Sequence, residues 1–359
     1  MKLLVAVSGG VDSVVLLDML INASELGTDV ISESSYRPGE SRAPFLESPE
    51  AVAWAHDSSM TSVPHRRQPV VGGTRRTPSF SGRDEFWSLL PKRGGGQSPP
   101  SKNALVVAHF EHGIRGEESL EDQKFVKNLA DKYGLEFVTT NAHLGVNVSE
   151  AEARAARYTF LRREAKQRGA MIVTAHHADD LVETVAINLT RGTGWRGVAV
   201  LDSDVVRPLL GMTKREIIMY AHQSHLEWRE DSTNMTDAYL RNRIRKSLAA
   251  TSDDVKWQVC ALRAQQITLK REIDAILADY VAGRTYIDRQ RFTTIGPVVA
   301  DELIRAWCIS RFGVAPARPA RSRIFEAIAT YQPGKVHQST DGIDILVGKD
   351  TVSLALRSA

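Results

Sequence analysis

Cysteine is almost missing from this 359-residue chain, which contains only Cys260 and Cys308. Two thiols are too few for a disulfide framework or a four-thiolate metal site. Long apolar runs are missing too. No stretch approaches the roughly 20 consecutive apolar residues needed to span a bilayer. The apolar opening from Met1 to Val7 stops at Ser8-Gly9-Gly10, with Asp12 close behind, so it is too short for a signal-peptide core and reads as a buried first strand. The expectation is a cytoplasmic protein with no membrane partner. Nor is there a large charge of one sign. The net charge is +3, with 42% hydrophobic and 25% charged residues, an ordinary globular composition. The length allows two domains.

Four apolar stretches read as buried parallel strands: 3–7, 105–109, 136–140 and 171–175. Helical patterns at 13–26, 120–133 and 149–168 separate them, which indicates right-handed βαβ units and a doubly wound parallel sheet of the α/β class. Ser149 and Glu152 form an S-x-x-E capping box at the start of the third helix. A further helix at 179–189 ends at Arg191-Gly192, where glycine suits a left-handed cap. Residues 37–102 hold nine of the fourteen prolines and the run Gly94-Gly95-Gly96. Such a segment buries too little apolar surface to offset ordering entropy and reads as a disordered insertion, with one docking turn at Phe86, Trp87, Leu89 and Leu90. A surface connection tolerates it at little closure cost. The division is therefore an α/β domain at 1–248 carrying that insertion, then a smaller, mainly helical domain at 249–359. Helices are expected there at 255–281, 298–312 and 323–331, with a closing hairpin at 342–356 that turns near Gly348-Lys349-Asp350.

The strongest chemical signal is the first strand–helix junction, Ser8-Gly9-Gly10-Val11-Asp12-Ser13. Two glycines let backbone amides approach an anion, and the following helix adds the partial positive charge of its N-terminus. Ser8 and Ser13 can donate to phosphate oxygens. Asp12 would be repelled by phosphate unless a cation lay between them, so it argues for Mg²⁺. No G-K-[ST] follows, and the run is not G-x-G-x-x-G, so neither a Walker A loop nor a dinucleotide fold is indicated. A Gly-Gly turn after a strand is common by itself, but the full six-residue pattern is not. Asp180 and Glu183 stand three apart at a helix start, so one carboxylate could face Asp12 across the crevice and complete a Mg²⁺ site; the lesser alternative is that Asp179 and Asp180 merely complement the helix dipole. His109, His112, His176 and His177 lack a third ligand at sensible spacing for zinc. Arginines crowd 154–168 and 241–245. Either run alone could be a solvated face, but two runs flanking a nucleotide site favour a polyanionic partner. Trp195 and Trp228 could stack on a base or pack in the core.

Ser8–Ser13 resembles the pyrophosphate-binding loop of the N-type ATP pyrophosphatases. Further segments resemble one branch, the tRNA(Ile)-lysidine synthetases: His109-Phe110-Glu111-His112-Gly113-Ile114-Arg115, with Glu111 where that family has aspartate; Glu150 to Tyr158; and Ala175 to Thr184. Arg191-Gly192-Thr193-Gly194, Arg207-Pro208-Leu209-Leu210, Glu230 to Asn234 and Arg241-Asn242-x-x-Arg245 follow in the same order. The likeness covers about 1–36 and 103–248. It implies an adenine nucleotide alpha hydrolase-like fold that uses ATP and Mg²⁺, L-lysine, and tRNA(Ile) bearing the anticodon CAU. The implied reaction adenylates the C2 oxygen of the first anticodon cytidine, and the ε-amine of lysine then displaces AMP.

The resemblance implies catalytic roles for Asp12, Asp180, Glu183 and Arg207. It implies nucleotide contacts for Ser8, Gly9, Gly10, Val11, Asp12, Ser13, His112, Arg115 and Arg191. Arg154, Arg157, Asp231, Asn234, Arg241, Asn242 and Arg245 would meet tRNA or substrate, while Asp12 and Asp180 would hold Mg²⁺ through ATP. The base that deprotonates lysine is open among Asp180, Glu183 and Glu150. The oligomeric state is open as well, a homodimer included. The rivals are a tRNA thiolase of the same superfamily, disfavoured because both cysteines lie outside the α/β domain, and a non-catalytic adenine-nucleotide or RNA-binding module.

Overall fold

The computed structural model of the chain describes residues 2–25, 101–113, 117–142, 144–145, 148–230, 240–339 and 342–357. The expected insertion and its docking turn lie outside these apart from Ser101 and Lys102. So do Arg115, Asp231 and Asn234.

β1 (Lys2–Ala6) lies inside a four-stranded sheet with β2 (Leu105–Glu111), β3 (Glu136–Asn141) and β4 (Ala170–Val173), in the order β3-β2-β1-β4. All pairings are parallel; Leu3 sits opposite Leu105 on one side and Met171 on the other. Strand side chains alternate between faces, and β1 is apolar on both. Leu3, Val5 and Val7 pack with Val15, Leu16 and Leu20 of α1 (Val11–Glu25) and with Val126 and Ala130 of α2 (Glu117–Tyr133). Leu4 turns the other way, with Val106 and Ala108, onto Tyr158, Phe160, Leu161 and Ala165 of α3 (Glu150–Arg168). Helices thus cover both faces, as a doubly wound sheet requires. The capping box at Ser149 and Glu152 is formed, and Gly169 closes α3 in the left-handed region at φ 60°.

The chain leaves β1 toward β2 and returns across it to reach β4. The loops after β1 and β4 therefore diverge, opening the crevice where sheets of this kind bind ligands. α4 (Ala178–Thr190) follows β4. Two helices not foreseen from the sequence complete this half: α5 (Lys214–Gln223), started by a Thr213–Glu216 capping box, and the arginine-rich α6 (Leu240–Leu248).

The C-terminal region begins with α7 (Asp253–Val281), then β5 (Tyr286–Asp288), α8 (Arg289–Thr294), α9 (Pro297–Phe312), α10 (Arg318–Thr330), β6 (Lys335–Gln338), β7 (Ile343–Val347) and β8 (Thr351–Leu356). The β7–β8 hairpin turns where expected, Gly348 N donating to Thr351 O at 2.8 Å. β5 and β6 were not foreseen. They extend the hairpin into an antiparallel sheet, β5-β8-β7-β6, packed on the fully buried Trp307, Phe292 and Ile324. Strands of three and four residues are too short to display a period. Among the described residues no helix is long and apolar enough to cross a membrane.

α7 is fastened to the α/β half along its length. Lys256, Arg263 and Lys270 recur every seven residues and so share one face. Lys256 Nζ lies 2.7 Å from Asp179, Arg263 Nε donates to Val200 O at 2.8 Å, and Lys270 and Arg271 both reach Asp202. Further along, Arg196 donates to Glu302 of α9 at 2.8 Å and to Asp274 of α7 at 2.7 Å, and Arg305 pairs with the same two carboxylates. Burial alone would raise the carboxyl pKa of Glu302 and Asp274, but the Arg196 and Arg305 guanidiniums outweigh it and hold both below their ordinary values. Groups depressed in the folded state stabilise it above their unfolded pKa, and lose that contribution as pH falls through the folded value. The docking should therefore be firm at neutral pH and weaken as pH drops below about 4. Arg196→Ala, which leaves Glu302 buried without this partner, should cost about 3 kcal/mol in urea unfolding. A loss under about 0.5 kcal/mol would mean the network contributes nothing to docking.

Candidate active site

A cleft of about 600 Å³ opens at the C-terminal ends of β1, β2 and β4. Its floor is the junction after β1. Gly9 adopts φ 96°, a left-handed conformation that a side chain would strain, and its carbonyl accepts from Arg229 N at 2.9 Å. Arg229 in turn donates to Asp122 and Glu121 of α2, fastening the loop from behind. Gly10 O accepts from Ser13 N and Val14 N, so α1 opens at Val11, two residues earlier than expected. Asp12 and Ser13 thus belong to its first turn rather than to the loop. Ser13 Oγ donates to Gly10 O at 2.9 Å and accepts from Ser8 N at 3.2 Å, so internal bonds set the loop before any ligand arrives.

Opposite stand the residues after β4. His177 is buried, with Nε2 3.8 Å from Asp12 Oδ2 and 3.5 Å from Asp180 Oδ2, so the imidazole lies between the two carboxylates expected to share a cation. Burial would lower the His177 pKa, but Asp179, Asp180 and Asp12 outweigh it and raise it. Asp180 shows the opposite balance. Burial pushes its carboxyl up, and His177, His176 and Arg241 bring it below the ordinary value. His176, beside Thr174 Oγ1 at 2.9 Å, is driven down to about 3, mainly by burial, so it is neutral at physiological pH. Asp179 is turned away from the cleft, accepting from Lys214 N at 2.7 Å and pairing with Lys256.

The third wall is cationic. Arg154 and Arg157 of α3 meet Arg241, Asn242 and Arg245 of α6 there, alongside His112. Burial, with Arg154 and Arg241 nearby, lowers the Arg157 pKa. Tyr158 carries Arg154 and Arg157 over its ring, at 5.0 and 5.5 Å. Ser8, Gly10, Asp12, Ser13, His112, Arg154, Arg157, Asp180, Arg241, Asn242 and Arg245 thus come together around one cleft.

Other expected residues do not line it. Val11 faces the core. Glu183, expected beside Asp180 as a second catalytic carboxylate, is buried beneath the cationic wall and binds Arg245 Nε at 2.6 Å and Arg241 Nε at 3.2 Å. Arg207 is turned inward. Its guanidinium donates to Leu201 O and Val205 O, both at 3.0 Å, which fastens the loop leading to α5 rather than reaching for phosphate. Arg191 is exposed at the end of α4 and takes no part in the cleft. Glu111 does line the cleft, but its carboxylate bends back onto its own loop, Oε1 accepting from Gly113 N at 2.5 Å. Trp195 lies against the neighbouring Arg196 guanidinium, and Trp228 packs on the core and edge-on to His222.

Lys214, Arg229 and Asp122 were missed. Only the T-x-x-E pattern at Thr213, a legible helix start, could have drawn attention to the first. Among the described residues no group of three His, Cys, Asp or Glu side chains could hold a metal by itself. A cation here would take the balance of its ligands from phosphates and water, as Mg²⁺ commonly does.

A parallel sheet, a glycine-bearing loop at a helix N-terminus and carboxylates facing it across the switch point define a nucleotide-binding α/β domain with an adenine nucleotide alpha hydrolase-like fold. Residues 89–252 match the model of the PP-loop domain. The loop at Ser8–Ser13 lies before the matched stretch, but the pairing of β1 with β2 and β4 builds it into the same sheet. The chain is also similar to curated tRNA(Ile)-lysidine synthases. Identity is 39% over 217 residues with that of Bacillus cereus, covering 56% of this chain and 43% of that protein. It is 39% over 159 residues with that of Bacteroides thetaiotaomicron, 42% and 37% of the two chains. With that of Thermus thermophilus it is 41% over 167 residues, 44% and 31%. The chain thus spans less than half the length of the curated relatives it matches. A solved structure described as U34-tRNA thiolase NcsA from Methanococcus maripaludis with its [4Fe-4S] cluster aligns at a TM-score of 0.45 and 14% identity, over 75% of this chain and 73% of that one.

Proposed function

We propose that this chain is a tRNA(Ile)-lysidine synthase, joining L-lysine to the first anticodon cytidine of tRNA(Ile) bearing CAU at the expense of ATP. The observation that carries the reading is one cleft in which the loop after β1, the Asp12 and Asp180 carboxylates and a wall of arginines converge. The similarity to lysidine synthases supports the same choice.

Loop amides and the α1 N-terminus would hold the pyrophosphate portion of ATP. Asp12 and Asp180 are hard oxygen donors beside a phosphate loop, which fits Mg²⁺ bound through the nucleotide. When bound, Mg²⁺ would neutralise charge on the departing pyrophosphate. Arg154 and Arg157 would draw the anticodon strand toward the cleft by its phosphates. An anticodon loop exposes its bases, so presenting cytidine for attack costs little. Lysine must react as the free amine, against a reference pKa of about 10.4. With the Asp180 carboxyl lowered and Glu183 held between two arginines, neither is a ready base.

Sulfur transfer is the weaker reading. Cys308 is fully buried, its thiol pushed up to about 12 by burial, and Cys260 is likewise raised; neither lines the cleft. A binding module without catalysis would not need the whole set of Asp12, Asp180, Glu183 and the arginines around one cleft.

Two assays test the proposal. ATP–pyrophosphate exchange should depend on tRNA(Ile), and mass analysis after incubation with ATP and lysine should reveal lysidine. An unmodified nucleoside pool with intact enzyme and tRNA would sink it. Arg243 of α6 is exposed, unlike the cleft-lining Arg241 and Arg245. If it meets the tRNA backbone, Arg243→Ala should flatten the log–log salt dependence of tRNA binding by roughly 0.7 to 0.9 without changing which base is modified. An unchanged slope would remove Arg243 from the interface.

A further inference from the structure

The ammonium of Lys214 occupies the position where a metal-assisted triphosphate site needs an open carboxylate. Its Nζ donates to Asp12 Oδ1 at 2.6 Å, and the other oxygen of Asp12 faces His177 Nε2 at 3.8 Å. Asp180 is engaged as well: Oδ2 accepts from His177 N at 3.2 Å, and Oδ1 faces Arg241 at 3.8 Å and Arg245 at 4.0 Å. Protein cations thus compensate both carboxylates that a divalent cation would use.

These compensating groups differ in freedom. Arg241 and Arg245 are fixed by buried Glu183, and His177 is itself buried. Lys214 is anchored by its backbone, which donates to Asp179 Oδ2 at 2.7 Å, and by its place after the Thr213 cap. Its side chain is 38% exposed, and among the described residues its ammonium pairs with Asp12 alone. A compact ammonium on a four-carbon stem can pivot about such an anchor, whereas a planar guanidinium in a fork cannot readily do so.

We propose that Lys214 is an exchangeable counter-ion: it holds the Asp12 carboxylate while the cleft is empty, then moves onto the pyrophosphate portion of an incoming nucleotide when a divalent cation takes over Asp12. This rests on reading the cleft as a metal-assisted ATP site. The exchange suits the charge balance. Nucleotide brings several negative charges and the metal two positive ones, so Lys214 leaves one anion only as a stronger one arrives within reach of its stem. It also keeps Asp12 from being an uncompensated carboxylate between visits, and disfavours a bare metal without nucleotide.

The test uses Mn²⁺ as the probe on the full chain, followed by electron paramagnetic resonance, with Lys214→Met and Lys214→Arg beside the wild type. Without nucleotide, Lys214→Met should bind Mn²⁺ about tenfold more tightly than wild type, since a charge in contact with the ligand carboxylate is gone. Lys214→Arg should resemble wild type, and adding Asp12→Asn to Lys214→Met should abolish the gain. In EDTA, where no metal can take over Asp12, ATP binding by equilibrium dialysis should weaken about tenfold in Lys214→Met, because the Asp12 carboxylate then faces the phosphates uncompensated, and persist in Lys214→Arg. A side chain this exposed can be replaced without unfolding the chain, and thermal melts check that. Equal Mn²⁺ affinity in Lys214→Met and wild type would overturn the proposal, as would unchanged ATP binding in EDTA. Failure of the nucleotide reading looks different: wild type itself would then bind no ATP even with Mn²⁺ present, and the proposal would fall with it.

Discussion

Asp12→Ala should reduce pyrophosphate release by about 10³-fold, an effect of roughly 4 kcal/mol on the barrier, while the protein unfolds at nearly the wild-type temperature. Two features of Asp12 set these expectations apart. Its carboxylate stands in the first turn of α1 at the mouth of the phosphate-binding loop, so it can act on nucleotide only through a bridging cation. Its side chain is 32% exposed, and its contacts are to Lys214 and His177 rather than to the core. Losing an acidic group at a helix N-terminus costs about 0.3–1 kcal/mol, too little to unfold the domain. Asp12→Asn should fall nearly as far, since an amide keeps the shape but is a poor metal ligand. The check is release of labelled pyrophosphate at saturating ATP and Mg²⁺ with tRNA present. Turnover within a few-fold of wild type would show that no cation bridges Asp12 to the nucleotide.

What the sequence made legible was whatever depends on local pattern. β1 through β4, the capping box at Ser149 and the hairpin turn at Gly348 all have short-range signatures, and all formed near their expected positions. The start of α1 was misjudged by two residues because Val11 and Asp12 were counted with the loop, whereas Gly10 O already accepts the first helical bonds. Direction was much less legible than position. Arg207 and Glu183 stand where motif spacing put them along the chain. Yet one turns to carbonyls of its own loop and the other to arginines about sixty residues away. Charge type and spacing cannot say which of two nearby surfaces a side chain faces. Arg229 and Lys214 escaped notice for a related reason. Their partners, Gly9 and Asp12, are about two hundred residues distant, and only the closed sheet makes them neighbours.

Glu183→Ala should damage the cleft in a different way from Asp12→Ala, registering in stability as well as in turnover. The carboxylate is 4% exposed and binds the guanidinium of Arg245 through Nε at 2.6 Å and Nη2 at 3.2 Å, with Arg241 Nε at 3.2 Å. Both arginines line the cleft, so Glu183 acts on the site through them. Removing one member of a buried ion pair costs about 3–5 kcal/mol when the other is stranded. Here the arginines are partly exposed and can reach water, so about 2–3 kcal/mol is the reasonable expectation. The guanidiniums should then swing free, raising the KM for ATP or tRNA more than they lower kcat. Glu183→Gln separates this positioning role from a direct chemical one. Gln keeps two acceptor lone pairs and the volume, so it should hold the arginines in part and recover much of the KM. Were Glu183 itself the base for lysine, Gln would be as inactive as Ala, and stability would scarcely change. Urea unfolding beside steady-state kinetics on both variants decides between these outcomes.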